Sequence, residues 1–189
     1  MEQSQPAELE DEELVSLAQS GDREAFEVLV ERYKQKAYHI AFGFTRDREE
    51  AKDLSQDAFL RAFTHLKGFN LRASFYTWFY RILVNLCLDY RRRRGRILWD
   101  SLDGNAERFE PGDPSNSPDQ AAIAKEMSRK VGLAVEALPP KQRTAFILKN
   151  HQGLSIHEIA KVMQSAEGTV KVHIHRAVVA LQQSLGELV

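Results

Sequence analysis

Residues 69–94 read FNLRASFYTWFYRILVNLCLDYRRRR. Five aromatic side chains, Phe75, Tyr76, Trp78, Phe79 and Tyr80, fall within six residues and lead into a helix expected over about residues 75–94, which closes on four consecutive arginines. Rings that stack on bases, set beside cations that hold phosphates, suit a protein that grips unpaired nucleic acid. Duplex bases are already stacked on each other and offer such rings nothing. The plainer reading is an amphipathic helix with an aromatic core face and a solvated basic end. Five rings in six residues cover every side of a helix, so they are not expected to share one core. That spacing predicts exposed rings and favours strand binding.

Outward from this stretch, hydrophobic periodicity is helical almost throughout, and the expected fold class is all-α. A first helix is expected over residues 11–19. Asp22 can cap a second, which carries Phe26, Leu29, Val30, Tyr33, Ala37, Ile40 and Ala41 at helical spacing. Asp47 with Glu50 reads as a capping box for a third helix, which runs to about Leu66 and is stopped by Gly68. Residues 95–118 are rich in Gly, Pro, Ser, Asn and Asp without a period, which marks a flexible linker. The expected organisation is therefore a helical domain over residues 1–94, a linker over 95–118 and a second helical domain over 119–189.

In the second half, Ser117 with Pro118 opens a helix that Pro139 and Pro140 end. A short helix follows to about Asn150, then Gly153. Ser155 and Glu158 form a capping box for another helix to about Met163, and a turn over 164–168 leads into a last helix from Thr169 to about Gly186. Two short helices around a tight turn make a helix-turn-helix. Val170, Ile174, Ala177, Val178, Leu181 and Leu185 form the expected buried stripe of the last helix; Lys171, Val172, His175, Arg176 and Val179 face outward. The start of such a helix enters the major groove, so Lys171, Val172, His175 and Arg176 are candidate readers of base edges and phosphates.

On the third helix the core face is expected to be Leu54, Ala58, Phe59, Ala62, Phe63 and Leu66. Asp53, Gln56, Asp57, Leu60 and Arg61 recur on the opposite side at i, i+3, i+4, i+7 and i+8. Acids around one large apolar side chain do not suit nucleic acid. They suit a partner protein that offers basic residues around an apolar pocket.

Composition narrows the classes. The 43% hydrophobic and 28% charged content is that of an ordinary soluble globular protein, and no apolar run reaches the roughly 18 residues of a membrane span. The acidic start MEQSQPAELEDEE lacks the features of a signal peptide, which predicts a cytoplasmic protein. Cys87 is the only cysteine, excluding an intrachain disulfide and a cysteine-based zinc site; between Leu86 and Leu88 it is expected to be buried. The net charge of −1 hides segregation: six acids and no base in residues 1–20, five arginines in 91–96, and nine bases against five acids in 120–189. Separate basic patches can bind DNA while acidic segments repel it elsewhere.

The motifs DLSQDAFLRAF at residues 53–63, FYTWFYRILVN at 75–85, LPPKQR at 138–143, GTVK at 168–171 and Arg176-Ala177 follow one another in the order and spacing of a known family. Together they closely resemble the extracytoplasmic-function sigma factors of bacteria, in the sigma-70 family, across essentially the whole chain after the first ten residues. The resemblance implies two small helical domains, region 2 and region 4. It places Asp53, Gln56, Asp57, Leu60 and Arg61 on the clamp coiled coil of core RNA polymerase. It places Phe69, Phe75, Tyr76, Trp78, Arg81, Asn85, Arg91 and Arg92 at the minus-ten element, with Asn85 near the pocket for an unpaired base of the non-template strand. Thr169, Lys171, Val172, His175 and Arg176 fall on the minus-thirty-five duplex, and an anti-sigma factor is the implied inhibitor. His173, His175 and Val178 stand where many relatives carry arginine or another residue, and Val172 replaces a common small polar one, which leaves the promoter sequence open.

No catalytic constellation, cofactor motif or metal site emerges. The six histidines are scattered, no Gly-rich phosphate loop is present, and His157-Glu158 lacks the second histidine of a zinc-protease motif. The chain is expected not to be an enzyme, to use no small-molecule substrate and to insert in no membrane. Two other functions fit parts of the pattern: a helix-turn-helix repressor or activator that is not a polymerase subunit, and, more distantly, an adaptor that binds only proteins. A repressor needs neither strand-capturing aromatics nor a polymerase-docking face.

Overall fold

A computed structural model describes residues 9–100 and 118–186 of the 189-residue chain. Regular structure among the described residues is entirely helical: α1 Asp11–Gln19, α2 Arg23–Thr45, α3 Arg48–His65, α4 Phe75–Asp100, α5 Pro118–Ala137, α6 Pro140–Gln152, α7 Ile156–Met163 and α8 Glu167–Gly186. A 3-10 turn, Leu66–Gly68, follows α3.

Local chemistry sets most boundaries. The Asp22 carboxylate accepts from the Ala25 N–H at 3.2 Å, and Asp47 accepts from Glu50 N–H at 3.0 Å, which starts α2 and α3 on side-chain caps. Of the capping box expected at α3, the half made by Asp47 is present. Between α2 and α3 the chain turns in two residues, with Arg46 in the left-handed region at φ 57°. Ser155 and Glu158 form their full box, with Glu158 Oε2 accepting from Ser155 N–H at 2.6 Å. Pro140 stands at the first position of α6, where its missing N–H costs nothing.

At the α5–α6 corner Arg143 is buried and turns back to the end of α5. Its guanidinium donates to the carbonyls of Val135 at 3.0 Å, Leu138 at 2.8 Å and Glu136. These are carbonyls of the last turn of α5 and the residue beyond it; that of Val135 also accepts from Leu138 N–H at 3.2 Å, so the buried cation serves chiefly those of Glu136 and Leu138 and complements the negative end of the helix dipole. Burial lowers the Arg143 pKa to about 10, which still leaves it charged at neutral pH.

Packing joins α1–α4 into one bundle. Gln19 Nε2 at the end of α1 donates to the carbonyls of Leu66 and Phe69 at 2.8 and 2.7 Å, and Asp11 accepts from Arg32 and Tyr33 of α2. Here the aromatic expectation is overturned. Phe75, Phe79 and Tyr80 are buried at 1%, 0% and 1% exposure, Phe69 is buried beside them, and Tyr76 and Trp78 are half-buried against the same core. The rings of Phe59 and Phe79 stack at 4.4 Å, and Phe69 and Trp78 at 4.7 Å. All sides of the first turns of α4 find neighbours because α1, α2, α3 and α7 all pack against this helix.

Three further expectations shift. Gly95 does not end α4, which continues to Asp100; a lone glycine costs a helix only about 1 kcal/mol, and arginine is a good helix former on either side. The remainder of the expected linker, residues 101–117 with Ser117, lies outside the described residues. Phe63, expected in the core, is 47% exposed and touches Phe26 only at the rim of the bundle, because Ala62 and Leu66 take the inner positions. Val178 is exposed as well, since Ala177 and Leu181 are the α8 residues that face Ala134, Val135 and Leu138.

The α5–α8 group lies against α1–α4. Helix α6 packs on α2 and α7 on α4, and Ile147, Leu148, Ile159, Val162 and Val170 belong to the same apolar core as Leu83 and Leu86.

Candidate nucleic-acid interface

Three surfaces carry the sequence-derived residues. On α3, Asp53, Gln56, Leu60 and Arg61 are exposed and Asp57 is half-exposed, all on the side away from Leu54, Ala58 and Ala62. Leu60 is 67% exposed. Arg61 pairs with Asp57 at 3.3 Å, a one-turn surface contact worth only a few tenths of a kcal/mol to about 0.5. The pair therefore gives little to the fold and is available to a partner. Phe63, one turn beyond Leu60, adds a second apolar group to this face. Sequence reasoning assigned it to the core, and its place on the border of the stripe was the available sign.

On α4, Trp78, Arg81, Asn85, Asp89 and Arg92 recur at steps of three and four and share one side of the helix. Asn85 and Arg92 are exposed, Trp78 and Arg81 half-buried. Arg92 pairs with Asp89, Arg94 donates to the Tyr90 hydroxyl at 2.8 Å, and Arg91 is turned inward to donate to the Phe44 carbonyl at 3.0 Å. Burial, which dominates, lowers the Arg91 pKa. The arginine run is thus divided: Arg92 and Arg93 face solvent, whereas Arg91 holds the end of α2. Phe69 and Phe75 present no free ring to a strand, because both lie in the core.

Arg61 of α3 meets Leu86, Asp89, Arg92 and Arg93 of α4 around an open cleft of about 640 Å3. Neither helix alone shows this cleft, which is why spacing along one helix did not reveal Asp89 and Arg93 as neighbours of the α3 face.

On the helix-turn-helix, Gln164 takes the left-handed conformation at φ 51° to close α7, so the turn occupies only residues 164–166 and Gly168 already lies in α8. Glu167 sits in the first turn of α8, where a carboxylate complements the helix dipole, and its Oε1 meets His157 Nδ1 at 2.9 Å. Thr169, Lys171, Val172, His175 and Arg176 are all exposed on the face opposite Val170, Ala177 and Leu181.

Residues 29–97 match the family description Sigma-70 region 2, and residues 128–181 match Sigma-70, region 4. The chain is 38% identical over 185 residues to the RNA polymerase sigma-H factor of Pseudomonas aeruginosa, covering 95% of each. It is 34% identical over 187 residues to the ECF RNA polymerase sigma-E factor of Escherichia coli K12, covering 96% of this chain and 97% of that one. The chain belongs to the ECF sigma factors of the sigma-70 family. Among solved structures it is similar to the sigma factor RpoE of Bartonella quintana in complex with the anti-sigma factor NepR, at a TM-score of 0.64 and 26% identity over 85% of this chain and 96% of the other.

Membership in the ECF sigma factors gives the three surfaces a common context. The α3 face and the α4 stripe both lie in region 2 of this sigma factor, and the exposed face of α8 lies in region 4. Sigma factors are not enzymes, and the chain is accordingly a transcription initiation factor. No described helix is long and apolar enough to cross a membrane.

Proposed function

We propose that the chain is a dissociable promoter-recognition subunit of bacterial RNA polymerase, working in the cytoplasm, that docks through α3, holds the unpaired non-template strand along α4 and reads the minus-thirty-five duplex with α8. The observation that carries this reading is the acid-ringed Leu60 face on α3 meeting the strand-side stripe of α4 at one cleft. An independent repressor needs a duplex-reading helix but has no use for either of those surfaces. In this assignment Asp53, Gln56, Asp57, Leu60, Arg61 and the added Phe63 contact the polymerase clamp. Trp78, Arg81, Asn85 and Arg92 serve the minus-ten strand. Tyr76 lies beside them, while Phe69, Phe75 and Arg91 support that surface from within. Thr169, Lys171, Val172, His175 and Arg176 meet the duplex. An anti-sigma factor is the proposed inhibitory partner, in line with the NepR complex of the similar RpoE.

The experiment is reconstitution with bacterial core polymerase and a search for promoter-specific initiation. Asp57→Arg or Leu60→Ala should weaken holoenzyme formation with helix content unchanged, since both groups point away from the core. Reversing a charge at the centre of an interface commonly costs about 2 kcal/mol or more. Equal core affinity in both variants and the wild type would remove the docking assignment.

Asn85→Ala tests strand capture separately. Contacts to an unpaired base are worth roughly 1 to 3 kcal/mol, and Asn85 is exposed, so the variant should dock normally and fail at open-complex stability. A promoter with a pre-melted bubble removes the cost of melting and retains the need for capture; wild-type lifetime of the complex on that template would show that Asn85 does not hold the strand.

A further inference from the structure

Helix α1 is fastened at both ends, and each end leads to the first turns of α4. At its start Asp11 accepts from Tyr33 of α2, whose ring lies 5.7 Å from Phe75 and 6.0 Å from Tyr80, centre to centre. At its end the Gln19 side-chain amide donates through Nε2 to two carbonyls, Leu66 at 2.8 Å and Phe69 at 2.7 Å. Both belong to the connection between α3 and α4: Leu66 opens the 3-10 turn and Phe69 follows it. The Leu66 carbonyl also accepts from Phe69 N–H at 3.0 Å, so the amide clamps a turn already closed on itself. The Phe69 ring in turn stacks on Trp78 at 4.7 Å, and Trp78 begins the α4 stripe. Gln19 stands ahead of residues 29–97, the stretch that matches Sigma-70 region 2.

We propose that Gln19 is a positioning residue for strand capture: through the backbone and ring of Phe69 it sets the place of Trp78, the ring of the α4 stripe on which an unpaired base can stack. The inference rests on the assignment of α4 to the strand given above. A base platform works only when its ring is held close to the stacking geometry, and the neighbours that lock it decide how well. Trp78 is half-buried, so its ring is backed by Phe69 and keeps part of its surface for a ligand. The residues after Phe69 give it little support: Asn70, Leu71 and Arg72 are exposed, and Leu71 takes a left-handed backbone at φ 35°. A side-chain amide suits the task, because one nitrogen carries two N–H groups and can hold both carbonyls at a fixed spacing. The site is only partly buried, so water can replace the lost donors, and their removal falls on placement more than on stability.

The test uses the full chain in a Trp99→Phe background, in which Trp78 is the one tryptophan left. Gln19→Met keeps an unbranched side chain of similar length and removes both N–H groups; Gln19→Lys returns a donor on a stem of similar reach. In the free protein the emission of Trp78 should move to longer wavelength in Gln19→Met and back in Gln19→Lys. With bacterial core polymerase, the lifetime of the complex on a pre-melted bubble should fall about three- to tenfold in Gln19→Met, part of the stacking contribution of one base, and recover in Gln19→Lys. Core affinity and binding to the minus-thirty-five duplex should stay at the wild-type level in both. Wild-type emission in Gln19→Met, or a wild-type lifetime where Asn85→Ala shortens it, overturns the proposal. So does a loss of core affinity in step with the lifetime, which would mark Gln19 as a general support of the fold. If the emission shifts and neither Gln19→Met nor Asn85→Ala alters the lifetime, the hold of Gln19 on Trp78 is supported and only the assignment of α4 to the strand is overturned.

Discussion

Phe75→Ala is expected to destabilise the folded chain by about 3 to 5 kcal/mol, the range for removing a large aromatic side chain from a packed interior. The ring is 1% exposed and lies within 6.4 Å, centre to centre, of the rings of Tyr33, Phe69, Trp78 and Phe79. Small domains have only about 5 to 15 kcal/mol of stability in total, so the loss should show as a large fall in the urea midpoint. A surface platform for bases would behave differently: its truncation would leave the midpoint unchanged and weaken only strand binding. Phe75→Leu keeps much of the volume and should recover part of the stability. If Phe75→Ala unfolds at the wild-type urea concentration, the ring is not a core element.

Arg143→Ala should cost about 3 kcal/mol or more. The substitution strands the carbonyls of Glu136 and Leu138 at a buried corner and leaves that of Val135 only its Leu138 N–H donor, and each buried acceptor without a donor costs about 1 to 3 kcal/mol. Arg143→Lys keeps the charge but cannot reproduce three directed donors from one planar group, so it should fall between wild type and alanine. The damage should be local to the α5–α6 corner, and amide exchange should speed most at residues 134–145. Uniform protection in Arg143→Ala would mean that the guanidinium is not what fastens the corner.

What the chain declares in its sequence and what it conceals divide along physical lines. The caps at Asp22, Asp47 and Ser155 were legible because a cap is made by residues three apart, and the neighbours are all in view. The exposed faces of α3 and α8 were legible because periodicity on a single helix separates inside from outside. The aromatic cluster of α4 was not, because burial on every side depends on α1, α2, α3 and α7, which come from distant parts of the chain. Arg91 was misplaced for the same reason: nothing beside it in sequence indicates that its partner is the Phe44 carbonyl. Gly95 misled because glycine weakens a helix without forbidding it. Sequence therefore grouped the exposed Asn85 and Arg92 of the α4 stripe with Phe69 and Phe75, which lie in the core, and with Arg91, which is turned onto the end of α2.

The cleft between α3 and α4 puts Arg61, proposed for polymerase, around the same opening as the exposed Arg92, proposed for DNA, and Arg93. Charges that share a cleft share a field, so a protein partner whose cations neutralise Asp57 or Asp89 strengthens the pull of the two arginines on phosphate, and one that brings its own acids weakens it. Thermodynamic linkage makes the effect mutual: whatever factor docking contributes to the hold on DNA, DNA returns to the hold on polymerase. Under the proposed assignment, losing the strand takes away the part of polymerase affinity that the strand had supplied, which would act as an electrostatic cue for release.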